Sequence, residues 1–270
     1  MFSSSFKALA TEAHFTNDML AAGATQIYNA NYANKGAYFQ AFTSLSTGLE
    51  RIGKLCLMLD HYIDSEGKFP DFVYMKNEIG HKIVFLYKKS VEIRRKRSIK
   101  FEFLQNLDSQ IYQAILKVLS DFAEGDRYSN INLLVGGKQT RDPIYSWLQE
   151  IDVWFYKNCV TERKKQKVMT NAAIAAHALG NYTCVRHFSE MGTEITDVEE
   201  ASIRTGIYEA VAPYRQLYVM HIIRYWVELL ISLQYQAMRI GHDIPFFSEV
   251  FGRFYNEDSY IKTRKTWDSF

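Results

Sequence analysis

Residues 213–240, PYRQLYVMHIIRYWVELLISLQYQAMRI, decide the fold. Leu217, Ile222, Trp226, Leu229, Leu230, Leu233 and Ala237 recur mostly at steps of three and four, which lines one broad face of a helix with apolar side chains. Pro213 suits the first helical position, where a missing N–H has no partner to lose, and Gly241 followed by Pro245 is a stop signal. The spacing predicts one long helix late in the chain with its apolar face in the core.

Earlier segments carry the same period. Phe6, Leu9, Ala13, Leu20 and Ile27 form a loose stripe over residues 5–31, ended around Asn34, Lys35 and Gly36. Phe42, Leu45, Leu49, Ile52, Cys56, Leu59 and Ile63 then alternate threes and fours without a miss, so the two segments should pair as an antiparallel hairpin. Glu50 and Lys54 stand one turn apart in the order that favours an ion pair. Ile79, Ile83, Leu86 and Ile93 predict a helix from about Lys76 that ends in the basic run Arg94, Arg95, Lys96 and Arg97. Leu104, Leu107, Ile111, Ile115 and Leu119 predict another over residues 101–123.

Residues 125–140, GDRYSNINLLVGGKQT, lack helical period and read as a loop. Gly136 and Gly137 beside Lys138 do not complete a P-loop pattern. Asp142 and Pro143 then cap a helix through Trp147, Ile151 and Phe155 that continues past Arg163, Lys164, Lys165 and Lys167 to Leu179. Thr196 with Glu199 reads as a capping box for a helix that Pro213 kinks or restarts. The tail holds Phe246, Phe247, Phe251, Phe254, Tyr255, Tyr260, Trp267 and Phe270, aromatics that need a surface to cover.

The expected fold is all-α, a bundle of about seven to nine helices in a single domain over residues 1–270. The loop at 125–141 would divide it into units 1–124 and 141–270. With 47% hydrophobic residues the chain has ample material for a core, and a net charge of +2 confines any nucleic-acid binding to local patches. Cys56, Cys159 and Cys184 are widely spaced, and His14, His81, His177 and His187 lack ligand spacing, so neither a disulfide framework, a metal site nor a cofactor is expected. No signal peptide and no apolar run of membrane length is read, and the expected location is the cytoplasm.

Two places resemble the HEPN superfamily of all-helical domains found in RNA-cleaving toxins and abortive-infection proteins. Residues 32–59, YANKGAYFQAFTSLSTGLERIGKLCLML, look like that family's opening hairpin, with the E-x-x-x-K step at Glu50 and Lys54 in a supporting role. Arg215 to His221 matches its R-x(4 to 6)-H signature at the start of a late helix. The resemblance implies metal-independent RNA cleavage, in which the ribose 2′-hydroxyl attacks the adjacent phosphate. His221 would move the proton and Arg215 would hold the phosphate charge. On one straight helix the two side chains lie roughly 120° apart and about 9 Å along the axis, so two motifs facing across a homodimer would complete the site. Arg94, Arg95, Lys96 and Arg97 are the candidate RNA contacts, and a regulatory protein partner is implied. Gln216, where the family often has Asn, Asp or His, keeps a second reading open: a catalytically silent HEPN-like module that binds a partner protein or nucleotide in a defence or regulatory complex.

Overall fold

The computed structural model describes residues 2–103, 106–137, 141–241 and 243–267. Leu104, Lys138, Thr140 and Phe270, named above, lie outside them. The protein is 73% helical, with one two-stranded hairpin as its sheet among the described residues, an all-α helical bundle.

Helix α1, Ser4–Asn29, begins where the Ser3 hydroxyl accepts from the amide of Phe6. The chain then reverses on Asn31, whose side-chain oxygen accepts from the amides of Ala33 and Asn34, and enters α2, Lys35–Asp64. The two helices lie antiparallel and close. A Cβ on Gly23 would stand 2.6 Å from Leu45 Cγ, and one on Gly48 would stand 2.7 Å from Leu20 Cδ2, so each glycine is the seat of a leucine from the other helix. Phe42, Leu45, Leu49, Ile52, Cys56 and Leu59 are buried, as their period predicts, while Ile63 is half-buried.

The short α3, Phe72–Tyr74, runs into a π turn at Met75–Ile79 that ends at Gly80 with φ +65. This left-handed residue is why the helix expected from Lys76 begins only as α4, Ile83–Lys96. Likewise α5 starts at Gln110, not Phe101: the carboxylate of Glu228 accepts from the amides of Glu102 (2.6 Å) and Phe103 (3.2 Å), which fixes that stretch in a non-helical path. The expected loop at 125–140 contains a short helix, α6, Ser129–Leu134, whose Ile131, Leu133 and Leu134 are exposed. Such turns take the helix count above seven to nine.

Asp142 caps α7, Pro143–Trp147, by accepting from the amides of Ile144 and Tyr145. A π turn at Leu148–Asp152 leads into α8, Val153–Asn158. The chain breaks there and restarts as α9, Glu162–Leu179, because the Thr161 hydroxyl accepts from the amide of Lys164. A hairpin of β1, His187–Phe188, and β2, Glu194–Ile195, follows, paired antiparallel in the register His187 with Ile195 and Phe188 with Glu194.

Helix α10, Val198–Met238, is the axis of the molecule. Its cap is Asp197, which accepts from the amide of Glu200, one residue later than the expected Thr196 box. Pro213 neither starts nor breaks it; the helix runs through, forgoing the one hydrogen bond that a proline cannot donate to Glu209. Between Arg215 and Leu230 every residue but Tyr218 is buried, so this stretch has no solvent face. Helices α1, α2, α8 and α9 pack on α10, together with α11, Phe247–Val250, and α12, Asp258–Thr263. Phe247, Phe251, Phe254 and Trp267 of the tail are fully buried against the chain itself. No helix among the described residues is long and apolar enough to cross a membrane.

Candidate functional site

A helix enclosed all round must satisfy each polar side chain it carries, and α10 carries Arg215, Gln216, His221, Arg224, Glu228 and Gln234 into the interior. Arg215 is wholly buried. Its Nε donates to Asp152 Oδ1 at 2.6 Å and its Nη2 to Asp152 Oδ2 at 2.5 Å, a fork on a carboxylate. Nη1 donates to the Ala30 carbonyl at 2.7 Å, and Nη2 also to the Tyr38 hydroxyl at 2.8 Å. Tyr38 in turn donates to Asp152, as does the indole N–H of Trp147 at 3.0 Å. The rings of Tyr38 and Tyr208 flank the guanidinium at 5.3 and 4.9 Å. The π turn sets this up, because Asp152 ends it, and a turn widened by one residue brings its carboxylate to α10. Burial pushes the Asp152 carboxyl above the usual carboxylate range against the pull of Arg215.

His221 belongs to a second network. The Tyr112 hydroxyl lies 2.6 Å from Nδ1 and Asp258 Oδ1 lies 2.9 Å from Nε2; the partners assign Nε2–H to the carboxylate and leave Nδ1 to accept from tyrosine. Arg224 binds the same Asp258 oxygen at 2.9 Å and the Asn256 carbonyl at 2.5 Å, with its guanidinium over the Phe103 ring at 4.1 Å. Burial pulls the His221 imidazole down to about 4, against the opposing pull of Asp258. The ring is therefore neutral near pH 7 with both nitrogens engaged. Burial disfavours the Asp258 carboxylate, but His221 and Arg224 hold its carboxyl below the usual range.

Arg215 and His221 thus occupy separate networks with no hydrogen-bond partner in common. The basic run divides as well. Arg97 is tied to Asp60 at 2.5 Å and Asp64 at 2.8 Å, and Lys96 pairs with the same two carboxylates. Arg94 lies over Phe101 at 4.4 Å, and Arg94 and Arg95 line a shallow groove with Lys100 and Asp108. Glu50 and Lys54 form their ion pair at 2.6 Å, at the edge of an apolar cleft between α1 and α2 and in neither α10 network.

Sequence reasoning missed Asp152, Tyr38, Tyr112 and Asp258. Asp152 was legible in principle, as a carboxylate between Ile151 and Val153, one turn from Leu148 and Phe155 on an apolar face, needs a buried cation. Tyr112 and Asp258 carry no such mark. A further groove, over the Arg215 network, is lined by Tyr28, Tyr32, Lys164, Tyr208, Glu209 and Lys265 among others. Among the described residues no three His, Cys, Asp or Glu side chains converge as a metal site. No family model, curated protein or solved structure matches the chain.

Proposed function

We propose that this chain is a catalytically silent, HEPN-like helical module that binds a partner molecule, and that Arg215 and His221 serve its fold. The observation that carries this reading is the enclosure of the Arg215 guanidinium, whose three nitrogens are all spent on Asp152, Ala30 and Tyr38. To take a phosphate, Arg215 would have to abandon a buried carboxylate, and breaking such a pair costs about 3–5 kcal/mol. His221 at about 4 is a poor proton shuttle at neutral pH, and neither nitrogen is open to a ribose hydroxyl. In this role no homodimer is needed to complete a site.

Of the partners that the resemblance implies, a nucleotide is favoured over RNA. Lys96 and Arg97 are already neutralised by Asp60 and Asp64, which leaves Arg94 and Arg95 as a weak electrostatic footprint for a polynucleotide. The test is incubation of the purified protein with labelled RNA in EDTA. The expected result is intact RNA; cleavage that His221→Ala abolishes would restore the ribonuclease reading.

A further inference from the structure

We propose that the β1–β2 hairpin is a pH-sensitive latch beside the Arg215 network, pinned by Glu190 in its uncharged form and released when Glu190 ionises. Such a latch would operate whether the protein binds a nucleotide or cleaves RNA.

The hairpin is stitched to itself. The Ser189 amide donates to the Thr193 carbonyl at 2.8 Å, and the Ser189 hydroxyl lies 2.6 Å from that of Thr193 while accepting from the amides of Met191 and Thr193. Gly192, with φ +78, closes the turn in a conformation that suits glycine. Its hold on the rest of the molecule is of another kind: Lys35 Nζ, at the start of α2, donates to the Ser189 carbonyl at 2.8 Å, Ile195 is buried, and the His187 ring meets Tyr32 edge-on at 5.6 Å. The hairpin can therefore keep its own bonds while it moves.

Glu190 is the weak point of that hold. It sits in the turn with a side chain that has no exposure, and neither carboxylate oxygen has a hydrogen-bond partner among the described residues. Arg204 Nη1 of α10 stands 3.6 Å away, beyond hydrogen-bond reach, and the Nε and Nη2 of the same guanidinium are committed to Glu200 at 3.0 and 2.9 Å. The Lys35 ammonium also attracts it, but is engaged by the Ser189 carbonyl. From the π turn Asp152 adds like charge, and Tyr38 of α2 and Arg215 of α10 feel the charge of Glu190 in turn. On the hairpin itself Arg186 and Glu194 pair with each other at 2.8 Å, and His187 is exposed. A carboxylate buried without a hydrogen bond is far costlier than the neutral acid in the same place. Burial accordingly pushes the Glu190 carboxyl above the usual carboxylate range, against the pull of its own amide, Arg204 and Lys35, with Asp152 adding to the push.

The sign of the effect follows from that direction. The unfolded or released carboxyl ionises at its ordinary value of 4.5, while the seated one keeps its proton to higher pH. The latch is fully closed below the ordinary value and weakens as pH rises through the folded one, about tenfold for each unit between them. Release carries Glu190 into water and withdraws its negative charge from beside Asp152 and Arg215.

The experiment is hydrogen exchange of the full chain at about pH 5 and about pH 8, expressed as protection factors so that the intrinsic pH dependence of exchange drops out. Protection of residues 187–195 should fall by roughly tenfold or more at the higher pH, while the amides at the centre of α10 keep theirs. Glu190→Gln and Glu190→Met, one polar and one apolar but both uncharged and of similar size, should abolish that fall, and His187→Asn should keep it. Flat protection in the native chain, a fall that persists in either uncharged variant, or one that vanishes in His187→Asn would overturn the latch. So would a carbon-13 titration of the native chain in which the Glu190 carboxyl ionises at its ordinary value, a readout that needs no variant to fold.

Discussion

Asp152 grips Arg215 with both carboxylate oxygens, from the end of a π turn to the centre of a 41-residue helix, with no solvent at either partner. The pair ties α7 and α8 to α10, and through Tyr38 and the Ala30 carbonyl it also ties in α2 and the end of α1. Arg215→Ala should therefore destabilise the protein by about 3–5 kcal/mol, by stranding the Asp152 carboxylate. Arg215→Lys should fail similarly, since an ammonium cannot make the forked contact. Urea unfolding measures both. A near-native unfolding midpoint for either would mean that Arg215 is held for chemistry and not for the fold.

Close packing of α1 on α2 sets the second prediction. Alanine is favoured over glycine inside a helix by about 1 kcal/mol, so Gly23→Ala would stabilise a free surface. Here the new methyl would stand 2.6 Å from Leu45 Cγ and 3.0 Å from the Leu45 amide nitrogen, and overpacking of this kind costs about 1–3 kcal/mol. Net destabilisation is expected, and less for Gly48→Ala, where the Leu20 backbone lies farther off at 3.3 Å. Thermal melting of the two variants side by side reads the difference.

Those glycines mark the limit of what periodicity carries. The run Leu45, Leu49, Ile52, Cys56 and Leu59 was legible because a three-four pattern has one physical meaning, a buried helical face, and all five are buried. Asp142 with Pro143 was legible for the same reason, a local bond between a side chain and the next amides. What stayed hidden depends on partners distant in sequence. Glu228 holds the amides of Glu102 and Phe103 out of helical structure across more than a hundred residues, and no local pattern near Phe101 announces it. Pro213 misled because its local preference for a helix start yields to the burial of the helix immediately after it, where every residue from Arg215 to Leu230 but Tyr218 is buried. The motif Arg215 to His221 was visible, but only the fold reveals that its two ends face different partners.

A pH dependence follows from His221. Its imidazole titrates at about 4 when folded, against an ordinary value of 6.5. Between these values the unfolded chain takes up a proton that the folded chain refuses, so this residue's contribution is fully present above about pH 6.5 and is lost as pH falls toward 4. Two and a half units correspond to at most about 3 kcal/mol. Unfolding free energies measured at intervals from pH 7 to pH 4 should fall more steeply for the native chain than for His221→Gln, which keeps a donor and an acceptor but does not titrate. Equal slopes, or an imidazole NMR titration near 6.5, would show that the ring is not enclosed between Tyr112 and Asp258.

The tail supplies the final prediction. Trp267 is fully buried; its amide donates to the Thr25 hydroxyl at 2.8 Å, its carbonyl accepts from Arg253 at 2.7 Å, and its ring lies against Phe254 at 6.3 Å. Trp267→Ala should cost about 3–5 kcal/mol, the range for emptying a large aromatic site. Trp267→Phe should cost less, because the indole N–H has no partner among the described residues and its removal strands nothing. Gln216 also fastens this segment, donating to the Lys265 carbonyl two residues earlier. Urea unfolding of the two variants side by side measures the difference, and equal losses would mean that the indole N–H is bound in the folded protein.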